Sequence, residues 1–215
     1  MLPWPRRPYT ILHTESSLGW GGQERRILAE AGVMRQRGHR VLLACDPRGE
    51  LFLKARKEGL PVMSLSLGGW RNLKAGWALS RFIRKKSVDI LNTHSSLDSW
   101  IGLLARRFLR EPPRLIRTRH LSTPVKNNWP TRRLYHSPDA IITTGQATKE
   151  LLERRLGVPE SRIFSIPTGV SLTEFVPGEA DPALKARLKI SPQAYIFGTV
   201  GCCAPGRGTF ICWRR

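Results

Sequence analysis

His94 and His120 each follow a short apolar run that reads as a β-strand, residues 88–93 (VDILNT) and 114–119 (RLIRTR). An imidazole at such a place can take a proton from a hydroxyl or orient it. In a parallel sheet, side chains at the carboxyl ends of strands reach the ligand crevice. One histidine at a strand end commonly does no more than hydrogen-bond to backbone. Two at equivalent strand ends, with a glycine turn at a third, favour a functional reading.

That turn follows an opening strand, residues 9–12, and carries Gly19, Gly21 and Gly22. Paired glycines let a ligand approach the backbone, and the N–H groups of the helix behind them suit an oxygen-rich or anionic partner. The same glycines would equally serve close strand-to-helix packing, and the stretch alone does not separate the two. Ser95, Ser96 and Asp98 follow His94 and suit the start of a helix. Arg117 and Arg119 precede His120; strict alternation would turn Arg119 away from His120, and its role stays open. Residues 121–129 read as a surface loop, although Lys126, Asn127, Asn128 and Trp129 would also suit a segment folding over a ligand.

Other chemistries find no pattern. No His/Cys cluster or paired acidic motif suggests a metal, so none is expected. No phosphate-binding P-loop is present. Cys45 ends a predicted strand and reads as a small buried residue; Cys202, Cys203 and Cys212 match neither a zinc pattern nor a disulfide framework.

The chain has 215 residues, 40% of them hydrophobic, enough for one large domain or two small ones. Lys and Arg number 36 against 16 Asp and Glu, a formal charge of +20. Such a balance favours nucleic acid, an anionic membrane face or phosphorylated substrates. The basic residues are dispersed over helix faces, however, and no aromatic interleaving or nucleic-acid motif accompanies them, so no nucleic-acid partner is expected. No stretch is long and apolar enough to span a bilayer, and the N-terminus lacks a signal-peptide apolar region. The expectation is a cytoplasmic protein, with peripheral contact at the inner membrane face as the extension of that reading.

The elements that must position these residues alternate. Strands are predicted at 9–12, 39–46, 61–67, 88–93, 114–119, 139–144 and 163–166. Helices are predicted from 23 to about Gly38, at 49–58 and 72–86, from residue 97 onward, and at 146–156. Leu73, Trp77, Phe82 and Ile83 would form the inner face of one helix, and Leu97, Trp100, Ile101, Leu104 and Phe108 that of the next. Strand and helix in alternation imply an α/β fold with a doubly wound parallel sheet. Near Pro167 proline and glycine punctuate a linker, IPTGVSLTEFVP; a short helix (183–188) and a strand-like YIFGTVG follow.

Several of these segments together resemble family-4 glycosyltransferases. GWGGQER resembles their glycine turn, HSSLDSWIGLLA their histidine-led helix start, RTRH the strand ending in histidine before an acceptor loop, and ITTGQATKELL their serine-containing segment, with Thr144 and Gly145 where serine is commonest. IPTGVSLTEFVP resembles their interdomain linker, with Thr168 where Asn is usual and Ser171 where Asp is usual. The resemblance runs over residues 9–201. It implies a GT-B enzyme of two Rossmann-like domains, retaining and metal-independent, with a nucleotide-sugar as co-substrate and no other cofactor. The acceptor would be a glycan or a lipid-linked glycan, as in lipopolysaccharide or other cell-surface polysaccharide synthesis. By motif, His120 would be the catalytic residue, while Gly21, Gly22, His94, Ser95 and Arg119 would bind acceptor or donor phosphate.

The resemblance divides the chain into an N-terminal Rossmann-like domain (1–167), a linker with a short helix (168–194) and a vestige of the donor domain (195–215). The tail beyond Gly201 has the composition of a shifted reading frame. Read one frame over, Cys202–Cys203 and Cys212–Trp213 must each encode leucine, and allowed codons turn the tail into VLRPGKGHVYLLEA. The family holds its donor diphosphate in the second domain, so this chain is expected to be inactive alone. The competing reading is a non-catalytic module that binds an anionic glycan or lipid through its basic face.

Overall fold

The computed structural model describes residues 7–66 and 72–173, together with 176, 178, 182–187 and 189–191. The expected donor-domain strand and altered tail, 195–215, lie outside the described residues. The chain divides into two compact units, Met1–Thr168 and Gly169–Arg215. Seven strands make one parallel sheet in the first: β1 (Thr10–Glu15), β2 (Arg40–Cys45), β3 (Val62–Ser64), β4 (Ile90–Thr93), β5 (Arg114–Arg119), β6 (Ala140–Thr143) and β7 (Ile163–Ser165). Their spatial order is β3-β2-β1-β4-β5-β6-β7. The intervening helices are α1 (Gly22–Gln36), α2 (Glu50–Lys57), α3 (Asn72–Lys86), α4 (Ser96–Arg107), α5 (Trp129–His136) and α6 (Gln146–Leu156). In the second unit the described residues include α7 (Pro182–Arg187).

A parallel sheet covered on both faces needs strands that are apolar on both sides, and β2 shows the consequence. Leu42 and Ala44 pack on one face with Ala75, Leu79 and Ile83 of α3 and Ile101 and Ala105 of α4. Val41, Leu43 and Cys45 pack on the other with Ile27, Leu28 and Ala31 of α1 and Leu51 and Ala55 of α2. Full burial of a side chain such as Leu42 is worth roughly 1.5–3 kcal/mol, and both helix layers draw on it. The sheet is therefore doubly wound, as the alternation of elements implied. Gly157 ends α6 at φ 68°, and its N–H bonds to the Glu153 carbonyl. That left-handed cap favours glycine, which has no Cβ to strain it.

Three expectations need correction. Leu73 and Trp77 do not face the core; they are 63% and 53% exposed. The buried face of α3 is Ala75, Gly76, Leu79, Ser80 and Ile83. A Cβ built on Gly76 would lie 2.7 Å from Leu104 of α4, so the small residues let the two helices approach and the large ones turn outward. Likewise Trp100 of α4 and Phe108, its C-terminal cap, are partly exposed, at 37% and 47%, while Ile101, Gly102 and Ala105 are buried. Finally, α5 begins where only a loop was expected. Asn128 caps it by accepting the Thr131 N–H at 3.0 Å, and Pro130 sits in its first turn, a helix start that Asn-Trp-Pro encodes.

Candidate active site

The strand order reverses between β1 and β4: the chain leaves β1 toward β2 and leaves β4 toward β5. In open α/β sheets, ligands bind outside the carboxyl ends of strands at such a reversal. β1 runs through Glu15, three residues beyond the expected end, and this extension brings His13 into the sheet beside Asn92 of β4. His94 follows β4 and His120 follows β5.

The three imidazoles form a chain. His13 Nδ1 lies 2.9 Å from His94 Nε2, and His94 Nδ1 lies 2.9 Å from His120 Nε2. The first pair is stacked, with ring centroids 5.2 Å apart; the second pair is tilted, at 5.1 Å. His13 and His94 are buried, and His120 is the half-buried outer end. Burial lowers the pKa of His13 to about 4. His120 is also lowered to about 4, by burial first and then by the charge of Arg26. His94 is held well below its ordinary value by burial and by its two histidine neighbours. All three are thus neutral near pH 7, and His120, the half-buried end, offers a neutral imidazole that can hydrogen-bond a hydroxyl.

Asp98, in the first turn of α4, organises the turn after β4. Its Oδ2 accepts the His94 N–H at 2.8 Å and the Thr14 hydroxyl at 2.9 Å, while its Oδ1 accepts the Ser95 N–H at 2.8 Å and the Ser95 hydroxyl. Ser95 is therefore the cap of α4, and its carbonyl also accepts Arg117 Nη1 at 2.9 Å. Glu15 plays the matching part on β1. Its carboxylate accepts the N–H groups of Ser16 and Ser17 and the side-chain amide of Gln23, shaping the turn into α1. Burial, and then the neighbouring Asp98, raise Glu15 to about 7.

The glycine turn has a different character from its plain packing reading. Gly21 is the cap residue of α1, in extended backbone, and its N–H donates to Glu24 Oε2 at 2.7 Å. A Cβ on Gly22 would meet nothing within 4 Å. Neither glycine has positive φ. Neither backbone conformation nor crowding by the protein requires Gly22, whereas approach of a ligand to the helix N-terminus would.

Arg119 stands apart from the histidine chain. Its guanidinium donates to the Tyr135 hydroxyl at 2.7 Å and to the Thr123 carbonyl at 2.5 Å, tying the post-β5 loop to α5. Arg117 lies over the same Tyr135 ring at 4.7 Å. The structure thus brings His94 and His120 together and adds His13, Glu15 and Arg26, which the sequence reading did not single out as site residues, and Asp98, which it read only as part of a helix start. The strand-compatible run Thr10-Ile11-Leu12-His13-Thr14-Glu15 was the available signal for His13. Arg26 is buried and donates to the Ile166 carbonyl at 3.0 Å and to Thr168 Oγ1 at 3.1 Å; nothing local marks it.

A doubly wound Rossmann-like domain of the GT-B kind, with a cluster of polar side chains at its switch point, is the class these features define. Residues 20–174 match the model of Glycosyltransferase Family 4, and the chain belongs to that family. The UDP-Gal:alpha-D-GlcNAc-diphosphoundecaprenol alpha-1,3-galactosyltransferase of Escherichia coli is 24% identical over 205 residues, which cover 89% of this chain and 53% of that protein. A glycosyltransferase structure from Rickettsia africae superposes with a TM-score of 0.71 at 21% identity, covering 86% of this chain and 51% of that one. Anabaena HepE in complex with UDP-glucose superposes at 0.64 and 16%, covering 84% and 50%. The chain spans about half the length of each of these relatives. Among the described residues no helix is long and apolar enough to cross a membrane.

Proposed function

We propose that this chain is the acceptor-side domain of a retaining, metal-independent glycosyltransferase. The donor is a nucleotide-sugar and the acceptor a lipid-linked glycan of cell-surface polysaccharide synthesis. One observation carries this reading: His120, the accessible end of a neutral histidine chain, stands at the sheet's switch point with the open glycine turn. A neutral imidazole can orient a sugar hydroxyl, and the α1 N-terminus can receive a phosphate oxygen. Neither supplies the positive charge that a leaving diphosphate needs, which fits a site completed by a second domain. The acceptor class is supported by family membership and by the E. coli relative, whose name specifies a diphosphoundecaprenol-linked acceptor. The formal charge of +20 agrees with work at an anionic membrane face.

The test is a titration of the chain with N-acetylglucosamine linked through diphosphate to a short prenyl chain, beside anionic vesicles without glycan. Glycan-dependent binding should fall about three- to tenfold in His120→Ala, on the order of one hydrogen bond between neutral groups. Binding that follows vesicle charge alone, with no response to the glycan, would establish the anionic-surface module instead.

A further inference from the structure

The histidine chain has a direction. Each neutral imidazole carries one N–H and one lone pair. His94 uses both ring nitrogens on other histidines, so it donates on one side and accepts on the other. The choice made at His94 sets the tautomer of both partners. If His94 donates from Nδ1, His120 accepts at Nε2 and carries its own proton on Nδ1. His13 then donates from Nδ1, and its Nε2 is a bare lone pair. In the opposite direction His13 accepts at Nδ1 and carries N–H on Nε2, while His120 offers a lone pair at Nδ1.

The inner end of the chain distinguishes the two. His13 is 1% exposed, and its Nε2 has no hydrogen-bond partner among the described residues. A buried N–H without an acceptor is rarer and more costly than a buried acceptor without a donor. The direction that leaves only a lone pair at His13 Nε2 is therefore favoured. The dead end also has a kinetic meaning. A proton taken up at His120 and passed inward would finish on His13, buried and without an exit.

We infer that His13 is a positioning residue: through His94 it holds His120 in the Nδ1–H tautomer, so that His120 meets its ligand as a hydrogen-bond donor and not as a base. The inference rests on the reading of His120 as a ligand-facing group. Under it, the sugar atom that His120 contacts is an acceptor oxygen, and a group able only to donate is discriminated against. His13 touches no ligand; it acts by fixing where the His120 proton resides.

The tautomer can be read without any ligand. In a long-range proton–nitrogen correlation spectrum of the 15N-labelled chain at pH 7, protonated and bare ring nitrogens resonate far apart. The chain has five histidines, so single substitutions assign them. His13, His94 and His120 should all show protonated Nδ1 and bare Nε2. Protonated Nε2 at His120 overturns the inference whatever the glycan titration shows. A failed glycan titration with the expected tautomers overturns the functional reading and leaves the chain's direction standing. In His13→Phe the donor to His94 is gone, and His120 should become a mixture of tautomers with glycan affinity about fivefold weaker. His13→Asn, whose amide N–H replaces the lost donor, should restore both. A single unchanged tautomer at His120 in folded His13→Phe overturns the role of His13. Should that variant not fold, the wild-type spectrum decides alone.

Discussion

Asp98 Oδ2 accepts the backbone N–H of His94 at 2.8 Å, so a carboxylate on α4 fixes the central ring of a chain that begins on β1. Because the same oxygen accepts the Thr14 hydroxyl, the contact joins the two strands that flank the switch point. Burial raises the pKa of Asp98 while the donors around it act against that shift.

Asp98→Asn should therefore destabilise the fold and the site together. An amide offers one acceptor oxygen where the carboxylate offers two, and its NH2 would face donors. Two misplaced contacts predict a loss of about 2–6 kcal/mol, at 1–3 kcal/mol for each buried unsatisfied group. Urea unfolding measures it. A midpoint unchanged from wild type would show that the turn after β4 is held by something else.

Two glycines should respond in opposite ways. Gly76→Ala places a Cβ 2.7 Å from Leu104 and should cost about 1–3 kcal/mol through overpacking between α3 and α4. Gly22→Ala meets no protein atom within 4 Å and should leave stability within about 0.5 kcal/mol. Its effect should appear instead as weaker binding of the diphosphate-linked glycan. Paired denaturation and titration curves check both; full affinity in Gly22→Ala would return that glycine to a packing role.

Arg26 links α1 to the end of β7 through the Ile166 carbonyl and Thr168. Arg26→Met should leave that carbonyl unpartnered, reduce stability by about 1–3 kcal/mol and speed amide exchange around residues 163–168. It also removes a positive charge that lowers His120, so the His120 pKa should rise toward its ordinary value. A histidine titration followed by NMR reads this, and no upward movement would contradict the charge's role.

Acid should weaken the fold. The unfolded chain protonates its histidines near 6.5, whereas His13 and His120 in the folded chain wait until about 4, and His94 is also held low. The unfolded state therefore binds more histidine protons as pH falls from 6.5 toward 4, and this part of the stability is lost across that window. Glu15, raised from 4.5 to about 7, acts in the opposite sense, as does Asp98. Three histidines against two carboxyl groups leave a net loss between pH 6.5 and 4.5. His13→Phe should flatten the slope by up to about 1.4 kcal/mol per pH unit, one proton's worth. Stability measured at half-unit intervals tests it; an identical slope would mean that His13 titrates normally.

The sequence by itself determined the alternation of strands and helices, the doubly wound sheet, the family, and His94 and His120 as strand-end residues. Those features are local: periodicity, glycine stops and strand-end positions are set within a few residues of chain. Only the tertiary structure decided that Leu73 and Trp77 face outward, because the buried face of α3 depends on how closely Gly76 lets α4 approach. It also decided which side chains complete the site. His13 and His94 are 81 positions apart, and Arg26 and Ile166 are 140 apart. The first contact arises because β1 and β4 are neighbours in the sheet though not in the chain, and the second joins α1 to the end of β7. No period or local motif records which distant strand end a side chain will meet, and the protonation of a buried ring follows from those neighbours.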